Sequence, residues 1–493
     1  MKKTKFFSAV IAAFIAMTMV IPQCDLHAES ISNSNDYLHT AGNKILDDNG
    51  NQVRLTGIAW FGLETPNSCF HGLWANRLDN MLDIVADNGF NLLRVPLSVQ
   101  LVNQWRKGEY PMPDSINDYI SPELKGKNSL EILDTAIAYC KKIGLKVMLD
   151  MHRIESAGQT PTWYTSKYST DDYEACWEWL ANHYKNDDTV IAADIFNEPH
   201  GKPYWQGEGA KWDGSKDDNN WKYEAEKVSK KILANNPKLL IMVEGIENYP
   251  KEGYDYSDTN AKDYYGTWWG GNLRGVQNYP VDLGTYKNQV VYSPHDYGPS
   301  VSDQTWFQNG FSEDSLAKDA WGPNWFYIHQ NNIAPILVGE WGGQMDGKDN
   351  EKWMRYLADF INKNNLNHTF WCLNANSGDT GGILGYDFKT VDKQKLDLVQ
   401  TTLWKDQNSG KYIGLDHEVN LGKTGTHVAA SDANFKKGDV NGDGVVDIMD
   451  LNVLKSYRLD NSTNIDKKTA DINGDGTIDI NDLMSLRNNL FTN

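Results

Sequence analysis

Positive charge is what this sequence most lacks. Its 493 residues hold 47 Lys and Arg against 66 Asp and Glu, a formal net charge of −19. Nucleic acids and anionic membranes are bound through clustered cations, so an acidic chain is a poor partner for either, whereas a neutral polymer makes no such demand. Cysteine is scarce: Cys24, Cys69, Cys140, Cys176 and Cys372 show neither metal-site spacing nor a dense disulfide framework. Cys140 extends the stripe Leu130, Leu133, Ile137, and Cys176 sits beside Trp177 and Leu180, so both are expected as small core residues; a secreted chain also permits disulfides. Long apolar runs are missing after the first 30 residues. The one present, Phe6–Ile21, follows Lys2, Lys3 and Lys5 and precedes Leu26-His27-Ala28. That is the build of a secretory signal, expected to be cut after Ala28, and its apolar part is short for a membrane span. Its loss would leave a net charge near −21 and a secreted, extracellular product. No phosphate-binding glycine fingerprint follows the first strand, which argues against a doubly wound nucleotide-binding sheet.

Aromatic residues, by contrast, are plentiful: 12% of the chain, with 18 tryptophans. Their flat apolar faces and polar edges suit sugar rings, though they also fill large cores. From about residue 50 to 404, β-rich runs alternate with amphipathic helical stretches. The expected strands are Val53–Trp60, Asn91–Pro96, Leu145–Asp150, Val190–Asn197, Leu239–Val243, Gln289–His295, Ala334–Glu340 and His368–Leu373. Gly89 and Gly144 stand where helices would close. Eight strands alternating with helices predict an α/β fold, a (β/α)8 barrel spanning 29–404. Residues 405–435 are polar and aperiodic and are expected to be a linker. Beyond them DVNGDGVVDIMDL, from Asp439, repeats as DINGDGTIDINDL from Asp471, a period of 32 residues.

Parallel barrels collect functional groups at the C-terminal ends of their strands. Here those ends carry Arg94, His152, Asn197-Glu198-Pro199, His295 with Tyr297, Glu340 and Trp371; the fifth offers only Glu244 and Gly245. Two carboxylates on different strands, one protonated and one ionised, are what glycoside hydrolysis requires. Arg94 and the histidines supply charges to separate them. The amide of Asn197 is placed to hold a sugar hydroxyl, Tyr297 to fix a carboxylate rotamer, and Trp371 to stack on a sugar ring. Each residue alone has a plain structural reading, as a loop cap, an ion pair or a core histidine; together, in strand-end register, they point to a site.

These residues resemble glycoside hydrolase family 5, barrels whose acid and nucleophile lie on strands four and seven. The family's eight recurrent active-site residues match Arg94, His152, Asn197, Glu198, His295, Tyr297, Glu340 and Trp371. RLTGIAWFGLET, HGLW, YWQ, WWGGNL and SGDTGGIL are also similar to bacterial endoglucanases of the family. The resemblance implies a retaining double displacement with Glu340 as nucleophile and Glu198 as acid/base, without a catalytic cofactor. One departure is Leu373, where relatives often carry a second tryptophan. Trp74, Trp268 and Trp269 are expected as further stacking platforms.

The repeat places oxygen ligands at the positions a calcium loop uses: Asp439, Asn441, Asp443, Asp447 and Asp450, then Asp471, Asn473, Asp475, Asp479 and Asp482. Val445 and Thr477 would add backbone carbonyls, and glycine holds the sixth position of each loop. A calmodulin-like sensor would need a full helix before each loop, and only NSTNIDKKTA separates the first helix from the second loop. Loop plus following helix, twice, resembles a dockerin at 436–493. That implies two calcium ions and a cohesin partner on a cellulosome scaffold. Positions 10 and 11 are Ile448-Met449 and Ile480-Asn481, unlike the small or hydroxylic pairs common in that family. The expectation is a secreted endo-β-1,4-glucanase acting on cellulose. Its rivals are the same chemistry on mannan, xyloglucan or mixed-linkage glucan, and a non-catalytic glucan-binding subunit.

Overall fold

A computed structural model describes residues 36–204, 209–406, 409–433, 436–442, 445–460, 463, 465 and 466–491. The expected signal at 1–28 and Asp443 lie outside the described residues. The first structured residues form a small antiparallel sheet of β1 (Leu38–Ala41), β2 (Lys44–Asp47) and β3 (Gln52–Val53). The run expected as one strand from Val53 to Trp60 therefore divides: Val53 pairs with Ile45, and only β4 (Thr56–Ala59) enters the main sheet. After it come β5 (Leu92–Ser98), β6 (Lys146–Arg153), β7 (Val190–Asp194) and β8 (Leu240–Val243). A short hairpin, β9 (Asn248–Pro250) and β10 (Tyr264–Gly266), precedes β11 (Val290–Tyr292), β12 (Leu337–Trp341) and β13 (Asn367–Phe370).

Eight of these pair in parallel in the order β11-β8-β7-β6-β5-β4-β13-β12. Parallel bridges Tyr292–Ile336 and His295–Glu340 join the two outer strands, so the sheet closes into the expected barrel. Every residue of β5 is buried, as a strand covered on both faces requires. The helices form for local reasons. Ser129–Lys142 starts from a capping box between Asn128 and Glu131. It closes before Gly144, which adopts φ +68°, as Gly89 adopts φ +95° after Leu78–Asp87.

The N-terminal end of the barrel is plugged. Leu38, Ile45 and Val53 of the small sheet pack with Leu92, Met148, Ile191, Leu240, Val291 and Leu337 of the barrel strands. Trp404, Ile413 and Leu415 complete that cluster. The stretch expected as a linker thus lies against the barrel, with Leu421 fully buried and Ile413 bridged to Val428. A buried ion cluster pins it. Lys146 meets Asp36 at 2.5 Å and Asp416 at 2.9 Å, while His417 bridges Asp36 (2.7 Å) and Asp47 (3.0 Å).

The tail has two main helices, Ile448–Leu459 and Ile480–Phe491, each directly following one of the repeated loops. A single turn, Lys467–Ala470, precedes the second loop. Leu454 and Leu486 are buried with Val440, Ile465 and Ala470, and Leu451, Leu483 and Leu490 pack around them. The first loop touches the barrel's plugged end: Lys44 Nζ donates to Asn441 O (3.1 Å) and Asn365 Nδ2 to Gly442 O (2.5 Å). All four described cysteines are buried free thiols. No helix among the described residues is long and apolar enough to cross a membrane.

Candidate active site

The C-terminal ends of the strands open into a cleft of about 510 Å³ lined by His152, Gln159, Glu198, Trp269, Tyr297, Glu340 and Trp371 among others. Of the eight residues singled out in the sequence, His152, Glu198, Tyr297, Glu340 and Trp371 line it, and Arg94, Asn197 and His295 lie behind them in contact with the two glutamates or with each other. Arg94, projecting from β5, is fully buried and surrounded by acids. It contacts Asp150 at 3.1 Å and Asp194 at 2.8 Å, pairs closely with Glu340, and donates to Asn197 Oδ1 at 2.9 Å. One guanidinium fork thus sets the positions of an amide and several carboxylates at once. Burial opposes its charge, but Asp150, Asp194, Glu340 and Glu244 overcome that and hold Arg94 well above its ordinary pKa.

Glu340, on β12, has both oxygens engaged. Oε1 faces Arg94, and Oε2 accepts the Tyr297 hydroxyl at 2.7 Å. Glu198 lies four residues past β7, with φ +53°. A non-glycine residue in that region is sparsely populated, and such residues cluster at functional sites. Its Oε1 faces His295 Nδ1 at 3.0 Å and its Oε2 accepts from Gln159 at 3.1 Å. One oxygen of Glu198, one of Glu340 and a nitrogen of His295 all fall within 4.8 Å of one another. His152 is oriented by Asp150 at 2.7 Å and stacks at 5.2 Å on Trp371, whose indole donates to Ser377. Burial pulls His152 down to about 3, so it is neutral at working pH. Asn197 Nδ2 is buried without a protein partner, a donor left over after Oδ1 has bound Arg94.

The expected stacking platforms differ among themselves. Trp269 is 41% exposed and stacks on His200 at 3.7 Å, and Trp74 is 37% exposed, edge-on to Phe388. Trp268 is only 3% exposed and packs against Trp306 and Phe307, so it shapes the loop core. Leu373 is likewise buried. Sequence reasoning missed Asp150, Asp194 and Gln159. Asp194 ends β7 and Asp150 lies in the second half of β6, and that register was the signal available for them. Glu244, read as a weak case, proves wholly buried among Arg94, His295 and Glu198.

In the tail, Asp450 is buried and accepts from Asn441 N and Asp447 N; Asp482 repeats this with Asn473 N and Asp479 N. Asp471 receives the backbone of Gly474, Asp475 and Gly476, so the second loop wraps around its first carboxylate. Asp447 caps Ile448–Leu459. A second cavity of about 500 Å³, lined by Arg54, Lys405, Lys436, Asp439 and Asp466, sits where tail and barrel meet, remote from the two glutamates.

A parallel barrel whose strand ends bring two glutamates together beneath buried arginine and histidine is built as a glycosidase. The chain belongs to the cellulases of glycosyl hydrolase family 5, whose family model matches residues 46–377, and it carries a type I dockerin domain matched over residues 437–491. It is an enzyme of the endoglucanase class. Endoglucanase G of Acetivibrio thermocellus is 44% identical over 94% of both chains, and endoglucanase B of that organism 38% identical over the same shares. Among solved structures, an endocellulase from Pyrococcus horikoshii superposes with a TM-score of 0.67 at 34% identity, over 74% of this chain and 98% of its own. The catalytic domain of the major endoglucanase from Xanthomonas campestris gives 0.66 at 33%, over 74% and 99%.

Proposed function

We propose that the enzyme hydrolyses internal β-1,4-glucosidic bonds of cellulose with retention at the anomeric carbon. The observation that carries this reading is that one oxygen of Glu198 and one of Glu340 lie within 4.8 Å of each other and flank the same His295 nitrogen. So close an approach supports a retaining pair, whose carboxyl groups stand about 5–5.5 Å apart, over an inverting pair, which needs about 6.5–9.5 Å to admit a water. Glu340 attacks the anomeric carbon as the glycosidic C–O bond breaks, and Glu198 protonates the departing oxygen. Glu198, now ionised, takes a proton from water, which displaces Glu340 and frees the sugar. Tyr297 and Arg94 hold the nucleophile's two oxygens, and the spare amide hydrogen of Asn197 meets a sugar hydroxyl. Trp371 and Trp269 present ring surface along the cleft.

The reading extends to the whole chain: signal 1–28, catalytic domain 29–404, connection 405–435 and dockerin 436–493, secreted and attached to a scaffold cohesin. The tail's donor set fits calcium. Both loops carry carboxylates and an amide at the positions a calcium loop uses; in the second, Asp471 receives the backbone N–H groups of Gly474, Asp475 and Gly476, and Gly476, at φ +82°, makes the tight turn such a loop demands. Asp439, Asn441, Asp443, Val445, Asp447 and Asp450 would hold one ion, and Asp471, Asn473, Asp475, Thr477, Asp479 and Asp482 the other. Calcium supplies charge neutralisation there and no step of the hydrolysis. The test is Glu198→Ala assayed with azide: the reading expects β-glycosyl azide from an activated aryl cellobioside. Wild-type activity without azide, or an α-azide, would overturn it.

A further inference from the structure

Glu244 takes no part in the two displacement steps, yet it is better placed than any other such residue to govern them. It lies one residue past β8 and is wholly buried. Its Oε2 accepts the backbone N–H of Glu198 at 2.7 Å, the residue held at φ +53°. Its Oε1 stands 3.1 Å from His295 Nε2, and the other nitrogen of that ring faces Glu198 Oε1 at 3.0 Å. One carboxylate therefore holds Glu198 from behind, by a hydrogen bond to its amide, and acts on it from the side across an imidazole at ion-pair distance. Gly270 closes over the pair: a Cβ there would lie 2.5 Å from Glu244 Oε2 and 3.4 Å from Glu198 Cα.

We propose that Glu244 is the positioning residue of the acid/base. It anchors the strained Glu198 backbone and, through His295, fixes the charge presented to the Glu198 carboxyl. This rests on the reading of Glu198 as acid/base. The groups facing the pair are Arg94, 3.4 Å from Glu244, Asp194, and Glu340, 3.7 Å from His295 Nδ1; Asp150 and Tyr297 lie behind them on Arg94 and Glu340. Burial opposes a charge on His295, but Glu244, Glu340 and Glu198 outweigh it and hold the ring well above its ordinary pKa. Burial pushes Glu244 itself well above the usual carboxylate range, against the pull of His295 and Arg94; its negative charge is the largest of the supports for the imidazolium, and replacing Glu244 removes it. A neutral His295 then faces Glu198, whose proton becomes harder to give.

Glu244→Gln keeps an acceptor for the Glu198 amide while deleting the charge, so it isolates the His295 arm. The proposal expects kcat/KM on a soluble glucan to fall about tenfold or more, because the natural leaving group needs protonation. On 2,4-dinitrophenyl β-cellobioside, whose leaving group does not, the fall stays under about threefold. The alkaline limb of the glucan pH profile moves up by at least about half a unit. A parallel fall on both substrates with the limb unmoved means a merely structural role and overturns the proposal. If the Gln variant does not fold, Gly270→Ala displaces the same carboxylate with every side chain retained, and the same two patterns decide. Glu198→Ala, measured alongside, separates the levels. Leaving-group dependence in it but not in Glu244→Gln sinks this proposal alone; its absence from both sinks the acid/base reading as well.

Discussion

Arg94 brings one positive charge into a pocket walled by Asp150, Asp194, Glu244 and Glu340, all buried. Removing one partner of a buried ionic set costs about 3–5 kcal/mol, because the others are left uncompensated. Arg94→Met is therefore expected to lower the urea midpoint sharply and abolish activity together, whereas Arg94→Lys keeps the charge but loses the fork, sparing stability more than turnover. An Arg94→Met variant as stable as wild type would contradict this placement. Tyr297→Phe is a milder test. It deletes a 2.7 Å hydrogen bond to Glu340, the proposed nucleophile, and nothing else, so kcat should drop about 10–100-fold with KM nearly unchanged. At this scale the site was legible because barrel strand ends are where chemistry gathers, which sorted Arg94, Glu198 and Glu340 from the many other polar residues. Glu244 was seen only dimly because its importance lies in contacts with three other strands, which no local pattern records. An indole that fills a loop and one that meets a sugar look alike in sequence, and Trp268 does both in part: it packs against Trp306 and Phe307 and also lines the cleft.

Among the elements, the barrel strands announced themselves as short apolar runs between helical patterns, and only their ends shifted by a few residues. The stretch 405–433 did not. Its large buried apolar residues, Ile413, Leu415 and Leu421, are few, fall on no period, and are joined only by alanines and embedded in polar sequence, so nothing signals that it closes the barrel's lower end. What fixes it is partly ionic. Hydrogen bonds from His417 to Asp36 and Asp47 raise the imidazole to about 9 from an ordinary 6.5, while Asp36 is driven low against the opposing effect of its burial. A histidine pKa raised by folding stabilises fully below about 6.5 and loses that contribution as pH rises through about 9. The aspartate's share requires its charge and disappears in acid, as pH falls below its ordinary 3.8. His417→Gln should therefore cost on the order of 2 kcal/mol between roughly pH 4 and 6.5, with the gap closing above pH 9. Thermal melts of both proteins across that range check it; a gap that widens with pH would refute the assignment.

For the whole molecule, the two domains respond differently to removal of metal. Among its described residues the tail buries five apolar side chains, and the sequence gives each loop several carboxylates, so cation binding is expected to supply much of its folding free energy. Chelation is expected to erase the helical signal of the isolated 436–493 segment while hydrolysis of soluble substrate by the full chain persists. A helical signal indifferent to chelator would refute the first half, and lost hydrolysis the second. Activity on soluble cellulose derivatives should exceed that on mannan under matched conditions, and the reverse order would change the substrate without touching the mechanism. That mechanism is tested most directly by trapping its intermediate with a 2-deoxy-2-fluoro cellobioside bearing a good leaving group. Digestion and mass spectrometry should find the fluorosugar on the peptide containing Glu340, with β-anomeric product released on reactivation. No adduct, an adduct on another carboxylate, or an α-anomeric product would contradict the account.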